Sequence, residues 1–257
     1  MKKIAVVTGA SSGIGRTFVR MLSSYDSFDE VWVIARRKER LDELKKEIPF
    51  PVRAVALDLS ETAGLSAYRV LVEMERPDVK LLVNCSGFGK FGATDGTPAE
   101  INLNMIDLNC RAVAALCQYT LPFMSSGAHI VNVASVAAFQ PVPYINVYAA
   151  TKAFVLSYSR GLNRELKSRG VGVTAVCPFW TKTEFFARAT DDNKAAVVKK
   201  YVAMYRPEQI VKQAFRDVQR GKDVSIYGFK ARFQTFLAKI LPHGFVMSYW
   251  QRQQDLK

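Results

Sequence analysis

Histidine and cysteine are scarce in this chain of 257 residues: His129 and His243 are the two histidines, and Cys85, Cys110, Cys117 and Cys177 the four cysteines. They form neither a CxxC pair nor a Cys/His cluster, so no metal site and no disulfide framework is expected, and a reducing cytoplasm fits this cysteine usage. Long apolar runs are missing as well. Nothing approaches the roughly 20 apolar residues that span a bilayer, and the run after Lys2-Lys3 ends too soon for a signal peptide. Repeats, linkers and low-complexity tracts are absent. With 49% hydrophobic and 23% charged residues the composition is that of a folded chain, and the length suits one large domain. Acidic residues are the last shortage, 23 against 36 Lys and Arg, which leaves a net charge of +13. The surplus is uneven, because Lys194 to Lys257 hold 13 Lys or Arg and only 4 Asp or Glu. An anionic ligand, an anionic membrane or nucleic acid would each suit such a chain. No nucleic-acid module is recognisable, so nucleic acid is not expected as a partner.

What the chain does contain is an alternation of short apolar runs with amphipathic segments. Runs at 4–7, 30–34, 52–57, 80–83, 129–134 and 171–176 read as parallel strands buried on both faces. Helices are predicted over about 64–75, 98–124, 148–169 and 207–221, with Pro207 and Gly221 marking the ends of the last. An edge strand is expected at 225–227. The pattern predicts an α/β fold: a Rossmann-like doubly wound parallel sheet in three layers, one domain over 1–257 with a helical C-terminal extension. Within it, 1–183 would form the cofactor-binding and catalytic core, 184–206 a partly helical cover over the substrate crevice, and 207–257 the basic extension.

Between the first strand and its helix stands Thr8-Gly9-Ala10-Ser11-Ser12-Gly13-Ile14-Gly15. Glycines there let the backbone approach a pyrophosphate, and the helix N-terminus offers N–H groups to its charge. The second strand ends in Ala35-Arg36-Arg37-Lys38, without the acid that would bind a ribose 2′-hydroxyl. Arg36 suits a 2′-phosphate instead; the bland reading is a solvated start to a basic helix. The loop Phe88-Gly89-Lys90-Phe91-Gly92 follows a strand end, so Phe88 and Phe91 either face a substrate or pack. Asn109, an amide among apolar residues, either satisfies a local partner or serves the site. Ser135 closes the fifth strand, where a doubly wound sheet opens on its crevice. Tyr148 and Lys152, at i and i+4, share one helix face, and the ammonium is expected to lower the phenol below its usual pKa of about 10.

Taken together, TGASSGIG, Asp58-Leu59, NCSG, Asn109, Ser135 and YAATK resemble, in order and spacing, the short-chain dehydrogenase/reductase family of the NADP(H)-preferring type, from Ile4 to Thr183. The resemblance implies an oxidoreductase that moves a hydride between NADP(H), with NAD(H) as second choice, and the carbonyl or secondary alcohol of a small molecule. Gly9, Ser11, Ser12, Gly13, Ile14 and Gly15 would form the cofactor turn, and Ser11 and Arg36 would contact the 2′-phosphate. Asp58 and Leu59 would lie beside adenine, Asn84 and Gly87 along the nicotinamide ribose, and Pro178 and Thr183 at the nicotinamide, Thr183 on its carboxamide. The implied catalytic tetrad is Asn109, Ser135, Tyr148 and Lys152: Tyr148 the acid/base, Ser135 the hydrogen-bond partner of the substrate oxygen, Lys152 the ribose ligand that tunes Tyr148, and Asn109 the holder of a relay water. Homodimers or homotetramers pairing through the helices at 98–124 and 148–169 are implied too.

Two departures stand out. The family's NNAG is NCSG here, and its Pro-Gly after the sixth strand is Pro178-Phe179, followed by Trp180. Phe88, Phe91, Phe179 and Trp180 are the candidate substrate residues and suggest a steroid, fatty or aromatic substrate. The alternatives are a redox sensor that binds NADP(H) without turnover, and a membrane-peripheral protein acting on lipid-type substrate. The basic aromatic segment 230–254 would cap the pocket, pack on a partner subunit, or touch an anionic membrane.

Overall fold

The computed structural model describes residues 1–190 and 197–256. Seven parallel strands form one sheet in the order β3-β2-β1-β4-β5-β6-β7: β1 Lys3–Thr8, β2 Glu30–Ala35, β3 Val52–Ala56, β4 Asp78–Asn84, β5 His129–Val133, β6 Gly172–Val176 and β7 Val224–Ser225. Because side chains alternate along a strand, each apolar run serves two cores. Ile4 and Val6 of β1 join one cluster with Trp32, Ile34 and Leu82, whereas Ala5 and Val7 join the other with Val31, Val33 and Val83. The first core is roofed by α3 (Thr62–Glu75), α5 (Ala112–Thr120) and α6 (Asn146–Glu165), the second by α1 (Gly13–Arg20), α2 (Lys38–Glu43) and α8 (Pro207–Gln219). This is the doubly wound three-layer arrangement predicted from the alternation of runs. The strand order reverses between β1 and β4, which opens a crevice at the strands' carboxyl ends.

Most element boundaries fall within a few residues of the sequence reading, and three segments differ in kind or extent. The helix expected over 98–124 is α4 (Ala99–Ile106) and α5 joined by a π-helical turn, Asp107–Arg111, with a short 3₁₀ turn closing the segment. A π turn adds a residue to the helical repeat and is common at functional sites. The edge strand is Val224–Ser225 rather than 225–227. The basic aromatic segment 230–254 is two helices, α9 (Phe229–Ile240) and α10 (His243–Gln253), because Pro242 cannot continue the first. Of the cover expected over 184–206, α7 (Phe185–Thr190) is helical, and 191–196 lie outside the described residues. No helix among the described residues is long and apolar enough to cross a membrane.

His129 supplies a pH-dependent element of the core. Thr174 Oγ1 gives its hydrogen to Lys222 O at 2.6 Å, so it accepts from His129 Nε2 at 2.8 Å. Burial lowers the His129 pKa from 6.5 to about 4. As pH falls from 6.5 to 4 the unfolded chain takes up a proton that the native chain refuses, so stability falls across that window, by about 3 kcal/mol at most. Urea denaturation at steps between pH 7 and 4 is expected to show this slope in the wild type. His129→Gln should flatten it, and an unchanged slope would assign the acid loss to other groups.

Candidate active site

The crevice is a cavity of about 640 Å³ reaching from the β1–α1 turn to α10. At one end the chain must turn sharply from β1 into α1. Gly9 holds φ +66°, and a Cβ on it would sit 2.7 Å from Cys85 O. A Cβ on Gly15 would lie 2.3 Å from Gly9 O, so only a bare backbone lets the helix start tuck under the turn. Thr8 Oγ1 accepts from the N–H groups of Cys85 and Ser86 at 3.0 and 3.1 Å, tying the turn to the end of β4. No side chain caps α1, and its first turn holds no acid. A cradle of glycine backbone at an uncapped helix N-terminus fits a pyrophosphate. Ser11, Ser12, Gly13, Ile14 and Thr183 line the same end of the cavity.

Beyond this turn lie Arg36, Arg37, Asp58 and Leu59. Arg36 Nη1 reaches Asp58 Oδ2 at 3.5 Å. Burial pushes the Asp58 carboxyl up, but the Ser60 hydroxyl and N–H, with the Arg36 charge, hold it below the ordinary carboxylate range. The arginine that meets Ser11 is Arg37, whose Nη2 donates to Ser11 Oγ at 3.1 Å. Arg37 also pairs with Glu184 at 3.2 Å and Arg40 pairs with it at 2.6 Å. Arg37 beside the Ser11 hydroxyl, with Arg36 lining the same cavity, is a donor set suited to a phosphate monoester. Arg37 was not singled out in the sequence; the ARRK run contained it, but spacing alone does not say which arginine turns toward Ser11.

At the inner end Ser135 follows β5, and its Oγ accepts from Ala137 N at 3.1 Å. Ser135 and Tyr148 line the same cavity, and the Ser135 hydroxyl favours the ionised form of the Tyr148 phenol. Lys152, one helical turn on in α6, is buried and donates to Val133 O at 2.8 Å, its Nζ 5.8 Å from the centre of the Tyr148 ring. The expected lowering of the Tyr148 pKa is not found. Burial pushes it up to about 12, against the pull of the Ser135 hydroxyl, while Lys152 gives one of its hydrogens to the Val133 carbonyl. Burial likewise drops Lys152 to about 8. Near neutral pH, Tyr148 is therefore a protonated donor.

Two expected site residues stand behind the crevice. The Asn84 side chain, expected along the ribose, donates to Asn132 Oδ1 at 2.8 Å inside the sheet, because β4 turns it away from the cleft. Cys85, Ser86 and Gly87 line the cavity there, and burial lifts the Cys85 thiol to about 12, an unreactive thiol. Asn109 is fully buried in the π turn. Its Oδ1 accepts from Phe88 N at 3.1 Å, and Nδ2 donates to Phe88 O at 2.9 Å and Thr151 Oγ1 at 3.0 Å. Thr151 in turn donates to Tyr148 O at 2.7 Å. Both amide hydrogens are thus engaged, and the side chain braces the Phe88 loop against α6.

Aromatic rings close the other side. Phe91 meets Tyr148, Trp180 and Phe185 with centroids 6.1 to 6.4 Å away, and Phe185 lies 5.4 Å from Tyr148. Phe88, Phe179 and Pro178 also line the cavity. Phe186 and Trp250 extend this lining, each stacked or tilted on Trp180. Trp250 comes from the C-terminal extension, some seventy residues after Trp180 in the chain, and no motif in the sequence marked it.

Comparison with known proteins agrees with this geometry. The profile of the short chain dehydrogenase family matches residues 3–194. Sulfoacetaldehyde reductase 2 of Chromohalobacter salexigens is 37% identical over 207 residues, covering 76% of this chain and 79% of that protein. Very-long-chain 3-oxoacyl-CoA reductase of Homo sapiens is 30% identical over 226 residues, covering 83% and 68%. A solved short-chain dehydrogenase from Sphingobium yanoikuyae in complex with NADPH aligns with a TM-score of 0.75 at 29% identity, over 99% of this chain and 96% of that one.

Proposed function

The chain belongs to the short-chain dehydrogenase family, a nicotinamide-dependent oxidoreductase family, and from that premise we propose that it interconverts a carbonyl and a secondary alcohol on an apolar small molecule, using NADP(H) and Tyr148. The observation that carries this reading is the placement of Ser135 and Tyr148 in one cavity, between an aromatic wall and the glycine cradle. A nicotinamide cofactor supplies the hydride. Gly9, Gly13 and Gly15 admit its pyrophosphate, while Ser11, Arg36 and Arg37 hold the 2′-phosphate. Ser135 and Tyr148 hydrogen-bond the carbonyl oxygen, and Tyr148 gives that oxygen its proton as negative charge develops there. A phenol that stays protonated past neutrality suits the reductive direction. Lys152 supplies a positive charge one helical turn from Tyr148, and Asn109 positions the Phe88 loop.

The lining also separates two substrate classes. Among the described residues its cations are Arg36 and Arg37 at the adenosine end and Lys152 beneath Tyr148. The aromatic wall thus offers an anionic substrate no ion pair, which favours a lipid-type, steroid or aromatic carbonyl over one like sulfoacetaldehyde. NADPH oxidation followed with a panel of bulky apolar ketones and small charged aldehydes tests this. Apolar ketones should turn over with the higher kcat/KM, and a preference for charged aldehydes would refute the assignment.

Cofactor choice is tested separately. Arg36→Ala and Arg37→Ala should each weaken NADPH roughly ten- to a hundredfold, the range for a lost charge-assisted hydrogen bond, and leave NADH nearly unchanged. Equal weakening of both cofactors in a fluorescence titration would reject the phosphate role.

A further inference from the structure

Helix α9 is apolar along two opposite lines. Ala231, Thr235 and Ala238 form the buried line, which seats the helix on the domain. Phe229, Phe233, Phe236 and Ile240 form the other, at i, i+4, i+7 and i+11, each more than half exposed. Phe229 and Phe233 lie ring on ring, with centroids 6.2 Å apart and planes 10° from parallel. After Pro242, α10 exposes Phe245 and Tyr249 in the same degree. The α9 stripe is an exposed apolar run of the kind that marks an interaction surface.

The charges indicate what meets it. Lys230 flanks the α9 stripe on one edge, Arg232 and Lys239 on the other, and all three are exposed. Arg232 Nε donates to Ile226 O at 2.9 Å and Lys239 lies over the Phe139 ring at 5.4 Å, so both are held beside the stripe. From Val224 to Gln254 there are four Lys or Arg and no Asp or Glu. A second copy of this face would bring like charge against like charge. An anionic lipid surface matches both features, taking aromatic rings at the acyl boundary and Lys and Arg among its headgroups. The same two helices reach the cavity, through Gln234 of α9 and Trp250 of α10, and Trp250 Nε1 is anchored on Pro143 O at 3.0 Å.

We infer that α9 and α10 seat this enzyme on an anionic membrane surface, with the Phe229–Phe233–Phe236–Ile240 stripe at the acyl boundary. The docked cavity then draws its apolar substrate from the lipid. This second statement rests on the apolar-substrate reading above; the docking itself does not.

The test is co-sedimentation of the full chain with phosphatidylcholine vesicles, with and without about 30% phosphatidylserine. Wild type is expected to pellet with the anionic vesicles and to be released by high salt. Phe233→Ser/Phe236→Ser should bind roughly a hundredfold more weakly, with an unchanged thermal midpoint. Lys230→Glu, which keeps the stripe, should weaken binding roughly tenfold on anionic vesicles alone. Wild type left in the supernatant throughout, or a double variant that binds as well as wild type, would overturn the docking. So would a particle mass that drops in the double variant without vesicle binding by wild type, which would assign the stripe to a second copy. NADPH oxidation without vesicles, read on the same samples, reports the reductase chemistry independently.

Discussion

Tyr148→Phe is expected to lower kcat by roughly a hundred- to ten-thousandfold, the range for removing a positioned general acid, while NADPH binds as before. The phenylalanine keeps the ring that packs on Phe185 and Phe91 and removes only the hydroxyl. Loss of turnover with intact binding and an intact thermal midpoint therefore isolates the proton. Because burial holds Tyr148 at about 12, the wild-type reductive rate should show no loss of this donor between pH 6 and 9. Steady-state kinetics over that range, with NADPH binding measured by fluorescence, decide the matter. A variant with full kcat would remove Tyr148 from the chemistry.

Gly15→Ala is expected to abolish cofactor binding and to lower the thermal midpoint, although it adds a single methyl group. The new Cβ would lie 2.3 Å from Gly9 O and 3.1 Å from Thr8 O, both main-chain atoms of the turn. Neither can swing aside as a side chain would, so the turn must open and the helix N-terminus must leave the crevice. Gly161→Ala makes the opposite control within α6. Its Cβ would meet nothing within 4 Å, so relief of glycine's entropy should stabilise the chain by about 0.5–1 kcal/mol with activity unchanged. Calorimetry and NADPH titration of both variants separate a requirement for glycine from general sensitivity to alanine. Tight NADPH binding by Gly15→Ala would contradict the cradle.

The sheet was legible because its strands are continuous apolar runs between turn signals, and Ile4 to Val7 carry that signature whatever they pack against. The glycine turn, Ser135, Tyr148 and Lys152 were legible because their spacing fixes strand ends and a helix face. Other features depend on orientation and on the balance of opposing forces, which spacing does not record. Asn84 adjoins the cleft in sequence, but the pleat of β4 sends its side chain to Asn132. Asn109 sits in a π turn, where its side chain bonds both backbone groups of Phe88, a placement that spacing does not reveal. For the Tyr148 pKa, spacing reveals the neighbouring cation but not the burial that opposes it. The aromatic stripe of α9 was visible as an amphipathic pattern, but only packing shows that Ala231, Thr235 and Ala238 face inward and the rings outward.

The chemistry proposed for this site is hydride transfer from a nicotinamide to a carbonyl carbon held at Tyr148 and Ser135. Incubation with NADPH deuterated at both C4 positions and a bulky apolar ketone, followed by mass spectrometry of the alcohol, measures it directly. The expected product carries one deuterium on its carbinol carbon in the wild type, and Tyr148→Phe forms roughly a hundredth of it or less in the same time. An alcohol without deuterium, or equal labelled product from both proteins, would contradict it.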